Sequence, residues 1–558
     1  MNIMKKFILF LLVLTSIVFC QPFSAGKNGV VVSASKIASD VGINIMQQGG
    51  NSIDATIAVN FALAVVWPSA GNIGGGGFSI IRFPDGTSTA INYRETAPGS
   101  ATKDMYLDQD KNPINGLSTT GSLACGVPGT VAGMELLWKK YGSLKWENLL
   151  QPAIKLAENG FPVTFYLNQG LEYHKEKMWN FPATKSMFFP DDITPEIGDT
   201  IKFPDLAETL KRIAKKGSDE FYKGKTARLI AKNIKKAGGI ITLNDLKKYQ
   251  AQELSPITFS YRNYEIISMP PPSSGGICLA QILKIVERFP ISEYGFLSTQ
   301  SIQAIVEAER QSYANRAHFL GDPDFIDIPE NYLISDELTS KLIQNIDLSK
   351  AGISDSVSHT LIPESEQTTH FSIIDKDGIA VSTTVTLNSG FGSCFVVEGT
   401  GILMNNEMDD FSIKPGYPNI YGLIGAKANC IEPGKRMLSS MTPSIVTKND
   451  SLKWVLGTPG GSTIITSVAQ VIINLIDFNM SLREAVHAPR FHHQWLPDII
   501  YHEKYGFSPE LLKKLNNKGY KTQQRSNIGD LDAIEVDYPK AIYIGVPDNR
   551  RQSAASAY

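Results

Sequence analysis

The residues of this chain best suited to do chemistry are Gln367-Thr368-Thr369-His370, where a polar stretch meets a strongly β-patterned hairpin. If the bond before Thr368 is cut, that threonine becomes a chain end. A free α-amine has a reference pKa of about 7.7–8, so it can take the proton from the hydroxyl of its own residue, placing nucleophile and base on one residue. A Thr-Thr pair before a strand is also what β-propensity alone produces. The neighbouring residues have to decide between the two readings.

The hairpin supplies the first of them. Lys376-Asp377-Gly378 reads as a three-residue loop with glycine at its left-handed position. Asp375 then faces Ile379, and counting outward sets Thr368 opposite Thr386. A two-residue loop would put Leu387 there instead. In the first register two hydroxyls meet at the open end of the hairpin. Asn388, two residues past Thr386, points to the same face. The pair can be a nucleophile with an orienting hydroxyl, or a cross-strand Thr–Thr contact of structural value only.

The surrounding elements form a mixed pattern. A short strand at Gly29–Val32 precedes a helix capped by Ser35 and running to Gln48, then a second helix from Ser52 to about Val66. Phe78–Phe83 and Ser88–Tyr93 read as a hairpin. Helical periodicity recurs over Thr130–Tyr141, Leu149–Asn159, Leu206–Lys216, Lys225–Ala237, Leu279–Phe289 and Ser301–Phe319. A polar, Ser-rich linker from Ser349 to Gln367 is expected to be exposed. Strands follow at His370–Asp375, Ile379–Asn388, Gly401–Asn405, Ser444–Thr447, Lys453–Gly457, Asp532–Val536 and Ala541–Gly545, with a helix over Thr463–Phe478. The mixture points to an α+β sandwich of antiparallel sheets.

Bulk properties narrow the function. The 558 residues are 42% hydrophobic and 19% charged, the composition of a large globular protein. A net charge of −2 offers nothing to nucleic acid, no zinc-type Cys/His spacing occurs, and no metal or organic cofactor is expected. Lys5 and Lys6 ahead of the apolar Phe7–Phe19 run have the shape of a secretory signal, with cleavage near Cys20. Lipid attachment at Cys20 is the alternative. The product is expected in the periplasm or outside the cell. The five cysteines, Cys20, Cys125, Cys278, Cys394 and Cys430, show no framework spacing and read as free buried thiols.

Further motifs carry a specific resemblance. They are Asn51-Ser52-Ile53-Asp54-Ala55, Gly71-Asn72-Ile73-Gly74-Gly75-Gly76-Gly77-Phe78, Tyr93-Arg94-Glu95-Thr96-Ala97-Pro98 and Gly126-Val127-Pro128-Gly129-Thr130. Later come Asn405-Asn406-Glu407-Met408-Asp409-Asp410-Phe411, Leu438-Ser439-Ser440-Met441 and Gly457-Thr458-Pro459-Gly460-Gly461-Ser462. With Thr368-Thr369-His370 in register, the chain from about Gly29 to its end resembles the γ-glutamyltranspeptidases, or glutathione hydrolases, of the N-terminal nucleophile hydrolase superfamily. The resemblance implies a four-layer αββα sandwich of two antiparallel sheets. It also implies a precursor that cuts itself before Thr368 into a large chain (21–367, after a signal at 1–20) and a small chain (368–558), which stay together as a heterodimer.

The site residues follow from the same resemblance, each beside its own chemistry. Thr368 is the nucleophile and Thr386 its partner hydroxyl. Arg94 is a rigid fork suited to the substrate α-carboxylate, with Ser439 and Ser440 beside it. Asn388, Glu407 and Asp410 are ligands for the α-ammonium. Gly460 and Gly461, ahead of a helix, offer an oxyanion hole. Tyr421, in the Pro415–Gly422 loop, closes over the glutamyl group. Glutathione and other γ-glutamyl compounds are the expected donors, and water, amino acids or dipeptides the acceptors. The alternatives are a cephalosporin-type acylase, a poly-γ-glutamate enzyme, or an uncut binding protein of the same fold. Met437, Thr463 and Asn549 depart from the family pattern, which expects Pro, Arg and Pro.

Overall fold

The computed structural model describes residues 23–354 and 368–558. The expectations about the signal segment, Cys20 and Gln367 therefore lie outside the described residues. Two seven-stranded sheets form the centre. One runs, edge to edge, Ala554–Ala557, Gly29–Ser33, Thr368–Asp375, Ala380–Thr386, Gly76–Arg82, Ser88–Asn92 and Gln252–Leu254. The other runs Ser24–Gly26, Ile542–Pro547, Asp532–Asp537, Ser451–Gly457, Ser444–Lys448, Tyr264–Ser268 and Ile257–Tyr261. Every pairing in both is antiparallel.

The period-2 alternation of the strands explains the layers. Val30, Val32, Phe78, Ile80 and Ile374 meet Ile267, Ile445, Val455 and Ile534 between the sheets. Val31, Ile81, Phe371, Ile373 and Val381 point the other way, into a core shared with the Lys36–Gln47 and Ser52–Val66 helices. The outer face of the second sheet packs on the Gly275–Val286, Thr299–Phe319 and Thr463–Ile476 helices. The result is a helix–sheet–sheet–helix sandwich, as expected. All strands of the first sheet's centre are buried on both faces, so they read as apolar and hydroxyl runs rather than a clean polar alternation.

The Asn51–Ala55 motif ties a helix to the hairpin. Asn51 caps the Ser52–Val66 helix, accepting from the Ile53 and Asp54 amides at 2.9 and 3.0 Å, and Asp54 Oδ2 accepts from the Asn51 amide at 3.1 Å. Such a reciprocal cap satisfies two N–H groups that the helix leaves unpaired. The Ser52 amide donates to Asp375 Oδ2 at 2.7 Å and its hydroxyl to the Ile379 carbonyl at 2.7 Å. The helix N-terminus thus grips the hairpin turn.

Two differences from the sequence expectations stand out. Gly401–Asn405 is a strand only at Ile402–Leu403, paired with Val396–Val397 outside both large sheets. Of the linker expected to be exposed, 355–367 lie outside the described residues; Ser349, Lys350 and Ile353 are exposed, while Ser354 is buried, with Arg310 Nη1 donating to its hydroxyl at 2.5 Å and Asp498 accepting from its amide at 3.0 Å. Helices at Phe165–Met178 and Pro182–Phe188 were not anticipated. Cys125, Cys278, Cys394 and Cys430 are free and buried, and no helix among the described residues is long and apolar enough to cross a membrane.

Candidate active site

The hairpin register places the threonines. Thr368 pairs with Thr386 and Ile374 with Ala380 around the Lys376–Gly378 turn, with Gly378 at a φ of 84°. Because Ile374 faces the other sheet, so do Ser372, His370 and Thr368 on the same strand face. The Thr368 and Thr386 hydroxyl oxygens are 3.4 Å apart. Both lie at one end of the sandwich, where the two strands begin and finish.

Buried groups fix this pair from several sides. The Thr386 hydroxyl accepts from the Asn388 amide at 2.7 Å, a turn that requires Asn388 at a φ of 74°. Asn72 Nδ2 donates to the Thr386 carbonyl at 2.7 Å, while Asn72 Oδ1 accepts from the Gly75 amide and the Thr130 hydroxyl, both at 2.9 Å. A Cβ on Gly75 would sit 2.2 Å from the Thr386 carbonyl oxygen, so the glycine run lets backbone approach backbone. Two residues along the strand, His370 Nδ1 meets the Thr384 hydroxyl at 2.9 Å and its Nε2 meets Ser372 at 3.1 Å. Burial holds that ring neutral, pushing its pKa down to about 3.

Thr368 and Thr386 line a small cavity together with Arg94, Asn388, Glu407, Asp410, Tyr421, Ser439, Ser440 and Gly461. Sequence reasoning named all of these. Gly460 sits one residue behind the wall. Arg316 also lines the cavity and was missed, because inside the Thr299–Phe319 helix it reads as one more helical cation.

The charges pair differently from the simplest expectation. Arg94, fully buried, is not a free fork. It ion-pairs with Glu407, with Asp410 at 2.5 Å and with Glu95 at 3.5 Å, and its Nε donates to the Met437 carbonyl at 3.2 Å. Burial opposes the Arg94 charge, but the three acids outweigh it and hold the group above its usual range. Burial pushes the carboxyls of Glu407 and Asp410 up, against the pull of Arg94, and that of Glu95 to about 7. The cation and the acids that could hold the two ends of a zwitterion thus sit side by side and pair with one another.

The remaining walls are built from loops. Ser439 and Ser440 are held by the Pro270–Gly276 segment, where the Ser274 amide and hydroxyl donate to the Ser439 carbonyl at 2.8 and 2.7 Å. Asp409, to which sequence reasoning gave no role, accepts from the Ile420 amide at 2.8 Å, and Asp410 Oδ1 accepts from Asn419 Nδ2 at 3.1 Å. One acidic turn therefore anchors the Pro415–Gly422 loop. The Tyr421 hydroxyl donates to the Asn388 carbonyl at 2.6 Å and roofs the cavity. Gly461, at a φ of 56°, lies under that ring, and a Cβ there would sit 2.4 Å from it. Among the described residues neither the Gly460 nor the Gly461 amide donates to a protein acceptor. Both precede the Thr463–Ile476 helix, whose N-terminus favours negative charge. The site can bind an amino acid head group, present a carbonyl to Thr368 and stabilise an oxyanion.

The chain is similar to known proteins over most of its length. The Gamma-glutamyltranspeptidase family model matches residues 38–558. The glutathione hydrolase proenzyme of Escherichia coli (strain K12) is 47% identical over 527 residues, covering 94% of this chain and 90% of the relative. That of Bacillus subtilis (strain 168) is 38% identical over 552 residues, covering 95% and 91%. Among solved structures, a cephalosporin acylase from Bacillus halodurans superposes with a TM-score of 0.86 at 27% identity, covering 96% of this chain and 97% of that one. Helicobacter pylori gamma-glutamyltranspeptidase gives 0.56 at 44% identity, covering 58% and 92%.

Proposed function

This chain belongs to the γ-glutamyltranspeptidase family, and from that premise we propose that it is an exported, self-cleaving γ-glutamyltransferase and glutathione hydrolase whose nucleophile is Thr368. The observation that carries the reading is the placement of Thr368 on the wall of a cavity whose other walls hold both halves of a zwitterion clamp.

Maturation begins when the Thr368 hydroxyl attacks the Gln367 carbonyl. The peptide bond becomes an ester, and water releases the large chain's carboxylate. The freed Thr368 α-amine then takes the hydroxyl proton as the oxygen attacks the γ-carbonyl of glutathione or another γ-glutamyl amide. Gly460 and Gly461 amides receive the oxyanion, an arrangement in which one donor is typically worth about 10²–10³ in rate. Collapse breaks the C–N bond, the ammonium of Thr368 returns its proton to the leaving amine, and a γ-glutamyl ester remains. Water resolves the ester as hydrolysis, and the amine of an amino acid or dipeptide resolves it as transfer. Glu407, Asp410 and Asn388 orient the α-ammonium, while Arg94, Ser439 and Ser440 orient the α-carboxylate. Holding both ends of the glutamyl head fixes the γ-carbonyl and leaves the amine side loosely specified.

The test is the discrimination the clamp demands. γ-Glutamyl-p-nitroanilide should be cleaved, and glutaryl-p-nitroanilide, which lacks the α-amine, should lose at least about 100-fold in kcat/KM, because a site built to hydrogen-bond a substrate group rejects the analogue without it. Equal turnover of the two would favour an acylase instead.

A further inference from the structure

We infer that Arg316 is the second cation of the α-carboxylate subsite and sets its preference for a charged carboxylate. The inference deepens the function proposed above and rests on it.

Arg94 and Arg316 both line the cavity and are both buried, but their surroundings differ. Arg94 is already matched by Glu407, Asp410 and Glu95. Arg316 has no acid within ion-pair distance among the described residues. Its Nε donates to the Ser274 hydroxyl at 3.0 Å and its Nη2 to the Ser440 hydroxyl at 3.1 Å. A buried guanidinium supported only by neutral hydroxyls is costly, and an anion arriving in the cavity removes that cost.

The hydroxyls between Arg316 and the cavity are oriented for the same ligand. A serine oxygen that accepts from the protein keeps its own O–H for another partner. Ser440 Oγ accepts from Arg316, and Ser439 Oγ accepts from the Met441 amide at 3.1 Å. Among the described residues neither hydroxyl donates to a protein acceptor, so both O–H groups remain for a ligand in the cavity they line. Two O–H donors backed by a guanidinium suit a carboxylate and give a neutral amide no charge to match. Arg316 thus positions Ser440 and supplies a charge that Arg94, engaged by its acids, does not supply alone.

The test compares γ-glutamyl-p-nitroanilide with its α-carboxamide analogue, in which the carboxylate is neutral, using the mature two-chain enzyme. Arg316→Gln should raise KM for the carboxylate substrate about ten- to hundredfold, the scale of a lost hydrogen bond to a charged group. KM for the carboxamide should stay within about threefold, as expected when only the charged contact is lost. Equal loss on both substrates, or no loss on either, overturns the inference. If Arg316→Gln does not mature, Arg316→Lys decides. Retention of the parental carboxylate preference supports the charge role, and its collapse despite the retained charge overturns it. An unmodified enzyme that does not cleave γ-glutamyl-p-nitroanilide contradicts the functional reading itself, an outcome distinct from either.

Discussion

At the residue scale, the site depends on buried charge. Glu407, Asp410 and Glu95 share one pocket with Arg94, and burial raises the carboxyls toward neutrality, Glu95 to about 7. A raised acid takes up its proton as pH falls, and a protonated clamp holds the substrate ammonium poorly. KM for γ-glutamyl-p-nitroanilide should therefore rise as pH falls from 8 to 6, because burial lifts the carboxyls of Glu407 and Asp410 and favours their neutral forms. Initial rates across that range measure it, and a flat KM would show that the acids stay ionised. The chemistry of these residues was legible because Arg94, Glu407 and Asp410 stand in distinctive motifs. Arg316 was not, since its role comes from which loop packs against one turn of a long helix.

At the element scale, the hairpin and the roof loop do most of the positioning. The Lys376-Asp377-Gly378 turn was enough to set Thr368 against Thr386, because a one-residue slip would turn every side chain to the wrong layer. The structure adds what local sequence does not contain: Asn72 on the Thr386 carbonyl, the Ser52 amide on Asp375 at the hairpin turn, and Asp409 on the roof. The first two contacts join residues 314 and 323 positions apart, so no spacing rule could have found them. The Ile402–Leu403 strand fell short because glycine and asparagine at its ends favour turns. The roof makes its own prediction. Tyr421→Phe removes the hydrogen bond to the Asn388 carbonyl while keeping the ring over Gly461. A neutral hydrogen bond nets about 0.5–1.5 kcal/mol, so KM should rise about two- to tenfold with kcat little changed. A fall in kcat with KM constant would place the tyrosine in the chemical step instead.

At the scale of the whole molecule, the position of Thr368 has a consequence for assembly. In the first sheet, Gly29–Ser33 and Gly76–Arg82, from before the proposed cut, flank Thr368–Asp375 and Ala380–Thr386, from after it. The second sheet also mixes the two, with Tyr264–Ser268 beside Ser444–Lys448. Cutting one bond therefore leaves two chains interleaved in both sheets, separable only by unfolding. The layered fold was legible as a sandwich from strand and helix periodicity, and its four-layer form from the motif set. The order of strands was not, because it is set by long-range pairing.

The most direct measurement is the N-terminal sequence of each chain in the purified protein and in its Thr368→Ala variant, separated under denaturing conditions. The account predicts two chains in the active parent, the smaller beginning at Thr368, and one uncut, inactive chain in the variant. An active parent with the bond before Thr368 intact, or an alanine variant that is cut as readily as the parent, would contradict it.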